Sequence, residues 1–552
     1  MNSVGQPLKI KANYKVLGIL GAIGLILFGI FNFLLPAMSS SSTEQLNVKI
    51  ISKDQATQAA TQFAQSQLGG IILDENDADA IVTYQSKSDF YGYLSKNKLI
   101  KEYSTKFEGS FPYDVFRVRL TEVDTYLNVD VHMNTGKVVA FSYASKESKI
   151  PVKTPVMDEL LEVEYKQKLA EPWLEQWGYK SSNLKVTQDS KSSLVYTDPN
   201  TKIGDAALQF KFIFGVKGIS SFEPAFSVPT DHIAYVEKET ATALWLTILG
   251  YGLLTLVFGI LAIIYSALTH THTSFVRGIF LSVFYFAVSM LSTYNMMPAL
   301  EAQGQTLNDM TFSLISTGII SLIMSALLYF SLVGGNGLWR KEAGLNPWPR
   351  SKEPGYGSYV LNSMYVGYLW ALILLGVQSI LFFVLEHTLH TWSTTDSSQS
   401  PFNMLYPWTF PLLAWLAGIS EEAVYRLFGI KMMQKIVKNT FIACLIPTII
   451  WALGHTLYPI YPVISRPIEL LVIGLIFSFI FLRYGFIAAL FSHVIFDSIL
   501  MGFSLFVLGD ITNVSAGIVS MIMPAIVAYV IYLFNSKKKE KPYVTTPPEV
   551  LQ

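Results

Sequence analysis

One cysteine in 552 residues, Cys444, excludes an intrachain disulfide, and its place in an apolar run makes it a small core residue rather than a nucleophile. Charge is equally scarce: only 14% of the chain is Asp, Glu, Lys or Arg, and 40 basic residues against 40 acidic ones leave no net field to gather a polyanion. With no zinc-finger or basic-helix pattern, this sets nucleic-acid binding aside. The His-Glu-x-x-His signature of zinc hydrolases is also missing. What remains is a chain 51% hydrophobic with a positive mean hydropathy, the composition of a polytopic α-helical membrane protein whose first partner is the lipid bilayer.

Ten apolar runs are long enough to suggest spans, at roughly 16–37, 243–268, 275–299, 310–334, 359–386, 404–430, 440–463, 467–482, 486–508 and 514–534. The first follows Lys9, Lys11 and Lys15 and reads as an anchor, with Gly18 and Ala22 as a small-residue step for packing on another helix. Between it and the second run lies a polar, turn-rich region, 39–240, the length of one or two small α+β domains. Within it, Val115 to Tyr143 alternates apolar and polar residues across turns, a hairpin pattern, and Gln209 to Val228 repeats that alternation. Arg340, Lys341, Arg350, Lys352, Lys431, Lys435, Lys438, Arg483 and Lys537 to Lys539 fall on the side of the N-terminal lysines. The positive-inside rule makes that side cytoplasmic, puts both termini there and places 39–240 outside. The organisation expected is therefore an N-terminal anchor (1–38), an extracytoplasmic domain (39–240), further membrane helices (241–400), a chemistry-bearing membrane core (401–535) and a tail (536–552) ending beyond Pro547 and Pro548.

The core draws attention because ionisable groups are costly there, at least about 2.5 kcal/mol near the bilayer centre, so each is a candidate for function. Glu421 and Glu422 are adjacent, Arg426 follows one turn on, Trp451 precedes His455 by four positions, and His493 precedes Asp497 by four. On an α-helix Glu422 and Arg426 share a face, while Glu421 points about 100° away and stays free. Each polar position lies about 7 or more residues, roughly 10 Å, from either end of its run, so their depths match. A carboxylate in a low-dielectric pocket is a general base suited to neutral pH.

This set of motifs, in this order over about Pro401 to Phe506, resembles the CPBP family, the type II CAAX prenyl endopeptidases and their Abi relatives, which are intramembrane glutamic proteases. The polar region, with Asp130 to Lys137, resembles the PepSY type of module found beside membrane peptidases. The family resemblance implies an endopeptidase acting on a polypeptide, in which Glu421 and His455 activate water and His493 and Asp497 line the oxyanion site, with Glu422 beside them and Arg426 and Trp451 as structural support. An ionised Asp497 would repel an oxyanion, so a protonated carboxyl or a hydrogen bond orienting His493 is expected of it. No cofactor is implied. Zinc is the nearest chemical rival, because Glu421, His455 and His493 are legitimate ligands. A non-catalytic scaffold, immunity factor or transporter using the same buried groups is the rival from another class. His270, His272, His387 and His390 fall at run ends and read as solvated. The sequence does not set the oligomeric state.

Overall fold

The computed structural model describes residues 1–35, 50–68, 80–121, 125–145, 163–215, 218–302 and 307–536. The serine-rich stretch after Ala37 and the Lys537 to Lys539 tail lie outside the described residues.

All ten apolar runs contain helix, and among the described residues seven helices are long and apolar enough to cross a membrane: Tyr14–Leu34, Thr230–Leu268, Asp309–Ala343, Tyr356–Thr388, Ser465–Tyr484, Phe486–Phe506 and Ile511–Asn535. The other three runs depart from uninterrupted spanning helix for readable reasons. Ile279–Asn295 is apolar but short. Residues 412–437 are continuous helix, yet carry Glu421, Glu422, Arg426, Lys431 and Lys435 and open into a π-helical stretch over Glu422–Ile430. The helix Thr440–Leu453 stops ten residues before its apolar run does. Gly454 follows it, and Pro459 and Pro462 prevent its resumption.

The first helix packs on Tyr356–Thr388 through Gly21 and Gly24. A Cβ on Gly21 would touch Leu369 and Leu372, and Gly24 lies against the backbone of Leu372 and Gly376. The small-residue step expected at Gly18 and Ala22 gives way to Gly21 and Gly24: nothing stands within 4 Å of where a Gly18 Cβ would be. Small residues on adjacent faces of an apolar helix look alike in sequence, and only the partner distinguishes them.

The polar region folds around one antiparallel sheet of eight strands: β1 (Ile81–Ser86), β2 (Asp114–Thr121), β3 (Thr125–His132), β4 (Val138–Ser145), β5 (Lys185–Asp189), β6 (Ser193–Ile203), β7 (Ala206–Gly215) and β8 (Gly218–Phe226). Their order is β1-β2-β3-β4-β8-β7-β6-β5. Each half has a leading helix and four strands, the first half with two more helices, Ser88–Lys96 and Ile100–Lys106, between its first two strands, and the last strands of the halves meet at Phe141↔Phe222 and Ser142↔Ser221. The alternation at Gln209 to Val228 thus belongs to a second unit built like the first. The leading helix of the first half, Lys53–Gln67, starts in a capping box between Ser52 and Gln55 and lays Ala56, Ala60 and Ala64 flat on the sheet. Its counterpart, Val163–Gln176, buries Ala170 and Leu174. Beneath them, Val118, Leu127, Val129, Phe210, Phe212 and Phe222 form a core separate from that of the membrane helices.

The basic residues gather at one end of the helices and the sheet sits at the other. At the basic end, Asn2 and Ser3 pair with Leu345 and Asn346, Lys435 bridges to Glu342, and Tyr359 Oη donates to Tyr484 O at 2.9 Å. At the sheet end, the Asn403 amide seals edge strand β1: it accepts from Tyr84 N at 2.6 Å and donates to Tyr84 O at 2.9 Å. Lys98 approaches Glu386 to 3.8 Å beside it. The chain is thus a polytopic membrane protein carrying an α+β, sheet-rich domain at one end.

Candidate active site

Three segments bring the polar residues of the core together. Glu421 closes the regular α-helical part of 412–437, and Glu422 opens the π-helical part. Such wide turns recur at functional sites because they re-aim side chains out of the 3.6-residue period. Glu422 and Arg426 are both fully buried, with Arg426 Nη1 3.2 Å from Glu422 Oε1. The same Glu422 oxygen lies 2.9 Å from His493 Nδ1. Arg426 is held further by Gly474 O at 3.4 Å and by the faces of Trp451 and Phe477, at 4.5 and 5.5 Å.

Glu421, expected to be free, is not. The indole N–H of Trp451 donates to its Oε2, which fixes the carboxylate in the partly open space between the two histidines. His455 Nε2 is 4.0 Å from Glu421 Oε1, and His493 Nε2 is 3.7 Å from Oε2. Sequence spacing describes only the glutamate's own helix, so a donor arriving from the next one escapes it. His455 itself does not lie within a spanning helix, as the run 440–463 suggested, but in the turn beyond Leu453. There its Nδ1 is 3.0 Å from Trp451 O, which places the proton on Nδ1 and leaves the Nε2 lone pair facing Glu421.

His493 is buried on Phe486–Phe506 and stacks on Phe477, with centroids 4.5 Å apart and planes 19° from parallel. Its Nε2 lies 3.4 Å from Asp497 Oδ2 as well as facing Glu421. Glu421, His455 and Asp497 keep 21, 18 and 20% of their side-chain surface open, whereas Glu422, Arg426 and His493 are closed in behind them. The site therefore has an accessible layer of two carboxylates and one imidazole over a buried layer that orients it.

Every residue singled out in the core converges here. The four run-end histidines do not, and lie exposed elsewhere. Phe477 and Tyr458, whose ring stacks on His455 at 5.8 Å and 23°, were not anticipated. An aromatic in an apolar run carries no mark of its neighbour in space. Among the described residues no group of three or more His, Cys, Asp or Glu has a metal-holding arrangement.

Fold and site together define a polytopic membrane protein with a buried acid–imidazole centre. In comparison with known proteins, residues 403–499 match the model of the type II CAAX prenyl endopeptidase Rce1-like family, an Rce1-like domain in the C-terminal part. The matched stretch contains all seven residues of the site. Over nearly its whole length the chain is similar to the sporulation-killing factor biosynthesis protein SkfC of Bacillus subtilis (strain 168), 24% identical over 509 residues, covering 88% of this chain and 93% of that protein. No solved structure matches.

Proposed function

We propose that the protein is an intramembrane endopeptidase of glutamate type that hydrolyses a peptide bond without a metal. The observation that carries this reading is the pair Glu421 and His455. Their facing atoms are 4.0 Å apart, too far for a hydrogen bond and right for one water about 2.8 Å from each. Both are acceptors on that side, so the water directs its hydrogens to them and its lone pair outward. As that oxygen attacks a substrate carbonyl carbon, its proton passes to Glu421. The oxyanion is met by N–H of His493 Nε2, and Glu421 then returns the proton to the leaving nitrogen as the C–N bond breaks. Glu422 receives the Nδ1–H of His493 and keeps that ring in register. Asp497 works in this scheme as a protonated donor beside Nε2, since an ionised carboxylate would oppose the oxyanion. Asp497→Asn, which keeps a neutral donor, should therefore retain more turnover than Asp497→Ala.

The substrate is a membrane-associated polypeptide. Similarity to a protein named for the biosynthesis of a killing factor favours maturation of a product over general turnover. By the charge asymmetry of the two helix ends, the sheet domain faces outward and the basic end faces the cytoplasm. The test is mass-spectrometric cleavage of a diverse peptide library by the purified protein, by Glu421→Gln, and by the wild type with a strong chelator. Cleavage kept with chelator and lost in the variant is expected. Loss in both would replace this reading with a zinc enzyme, and cleavage by Glu421→Gln would overturn it.

A further inference from the structure

His455 depends for its position on a turn, and that turn is held from outside the site. Residues 454–464 link Thr440–Leu453 to Ser465–Tyr484 without helix of their own. At their far end Tyr461 and Ile460 pair as a short antiparallel ladder with Trp392 and Ser393, and the rings of Trp392 and Tyr461 stack at 4.6 Å and 25°. Thr394 N donates to Pro459 O at 3.0 Å, which extends the ladder towards His455. The helix Thr230–Leu268 adds two clamps: Glu239 accepts from Val463 N at 2.8 Å, and Ala243 O accepts from Thr456 Oγ1 at 2.9 Å.

The other side of Trp392 belongs to the sheet domain. Its ring lies over Gly92, where an added Cβ would come within 2.7 Å of it, and over His232 at 5.3 Å between centroids. Ser88 Oγ donates to Thr395 O at 2.9 Å, and Thr394 Oγ1 donates to Ser88 O, so the strand carrying Trp392 is fastened to the domain along its length. His232 lies in the first turn of the helix Thr230–Leu268, six residues beyond the end of β8, so Trp392 touches both the sheet domain and the helix that clamps the turn.

We propose that Trp392 is a positioning residue that transmits the seating of the sheet domain to the turn bearing His455, and so sets the distance between His455 and Glu421. The inference rests on the reading of His455 as a water-activating group, and it gives the sheet domain a part in catalysis without contact with the substrate. Gly92 makes it testable from the sheet domain itself. Gly92→Ala inserts a methyl against the Trp392 ring and leaves the membrane core untouched, while Trp392→Phe removes the outer ring atoms that the methyl meets and keeps an aromatic face for Tyr461.

The experiment measures kcat and KM on a library peptide cleaved by the wild type, together with the rate of carbethoxylation of His455 by diethyl pyrocarbonate, read by mass spectrometry. The buried His493 and the exposed His270 serve as internal references. Gly92→Ala should lower kcat about tenfold or more with KM unchanged, since a displacement on the order of 1 Å is costly to a positioned group. It should also change His455 reactivity severalfold relative to His270, and Gly92→Ala with Trp392→Phe should restore both. Unchanged kcat in Gly92→Ala, or no rescue by the second substitution, overturns the proposal. Should the wild type cleave no peptide, the failure lies with the hydrolase reading, and unchanged His455 reactivity alone then overturns the coupling. If Gly92→Ala does not fold, Ser88→Ala, which drops the Ser88 Oγ contacts to Thr395 O, Thr395 Oγ1 and Ser86 O, takes its place: a fall in kcat with changed His455 reactivity is expected, and no change in either overturns the proposal.

Discussion

The sheet domain and the membrane core use the same charged residues to opposite ends. In the sheet, Arg117 grips Asp130 through a two-pronged fork, Nε to Oδ1 at 2.7 Å and Nη2 to Oδ2 at 2.8 Å, with the arginine partly in water. Lys87 and Glu223 pair at 3.0 Å with both side chains partly exposed. Such pairs stabilise modestly and are replaceable. In the core, Glu422 and Arg426 see no water, and Glu422 Oε2 and Arg426 Nε find no hydrogen-bond partner among the described residues. A pair that incomplete in a bilayer is a poor device for stability. The difference is that these sheet pairs keep one foot in water, whereas the core pair is enclosed at a cost to stability that, on the proposed reading, is met by what it orients.

The comparison is broken or sharpened by four substitutions. The greatest effect is expected from Glu421→Gln, which should lower kcat by about a thousandfold, within the usual 10²–10⁴ range for a lost general base, without shifting the unfolding temperature. Peptide cleavage and thermal unfolding in the same detergent check both halves. Arg426→Leu should do the reverse, costing about 3–5 kcal/mol of stability because Glu422 is left as an uncompensated buried charge. A variant as stable as the wild type would show that the core pair is no different in kind from Arg117 and Asp130. Trp451→Phe keeps the ring over Arg426 but removes the N–H that Glu421 accepts. A tenfold to hundredfold fall in kcat is expected, the worth of about 1.5–3 kcal/mol for a hydrogen bond to a charged group. Arg117→Ala, the matching cut in the sheet, leaves Asp130 with 9% of its side chain open and should cost about 1–3 kcal/mol, with turnover unchanged.

A pH effect of smaller size belongs to the sheet. His132 Nδ1 accepts from Asn134 N at 3.1 Å and the ring is buried, and that burial holds its pKa below the usual 6.5. The unfolded chain therefore binds a proton that the folded one resists. Stability should be complete well above pH 6.5 and decline as pH falls through that value, and His132→Asn should flatten the decline in a urea titration. A slope that survives the substitution would assign the effect to another group.

Most of this architecture was readable in the chain before its folding was known, because apolar length and strand alternation are one-dimensional signals. The runs became helices and the alternations became strands, and the glutamates, histidines and aspartate stood out as polar groups where polarity is costly. What escaped was whatever depends on a second segment: the choice of Gly21 and Gly24 over Gly18, the indole N–H on Glu421, the ring of Phe477 on His493. The end of Thr440–Leu453 escaped for a different reason. Hydropathy continues unbroken past Gly454, and the turn that carries His455 is apolar enough to pass for helix.

The packing of Gly24 on Gly376 has a consequence for how the molecule is made. Those glycines are separated in the chain by the whole sheet domain and three membrane helices, so the first helix enters the bilayer long before its partner leaves the ribosome. Until Tyr356–Thr388 arrives, its glycine face has only lipid to lie against. Assembly thus includes a lateral docking of this early helix onto a later one, and a bulkier residue at either glycine should weaken that docking.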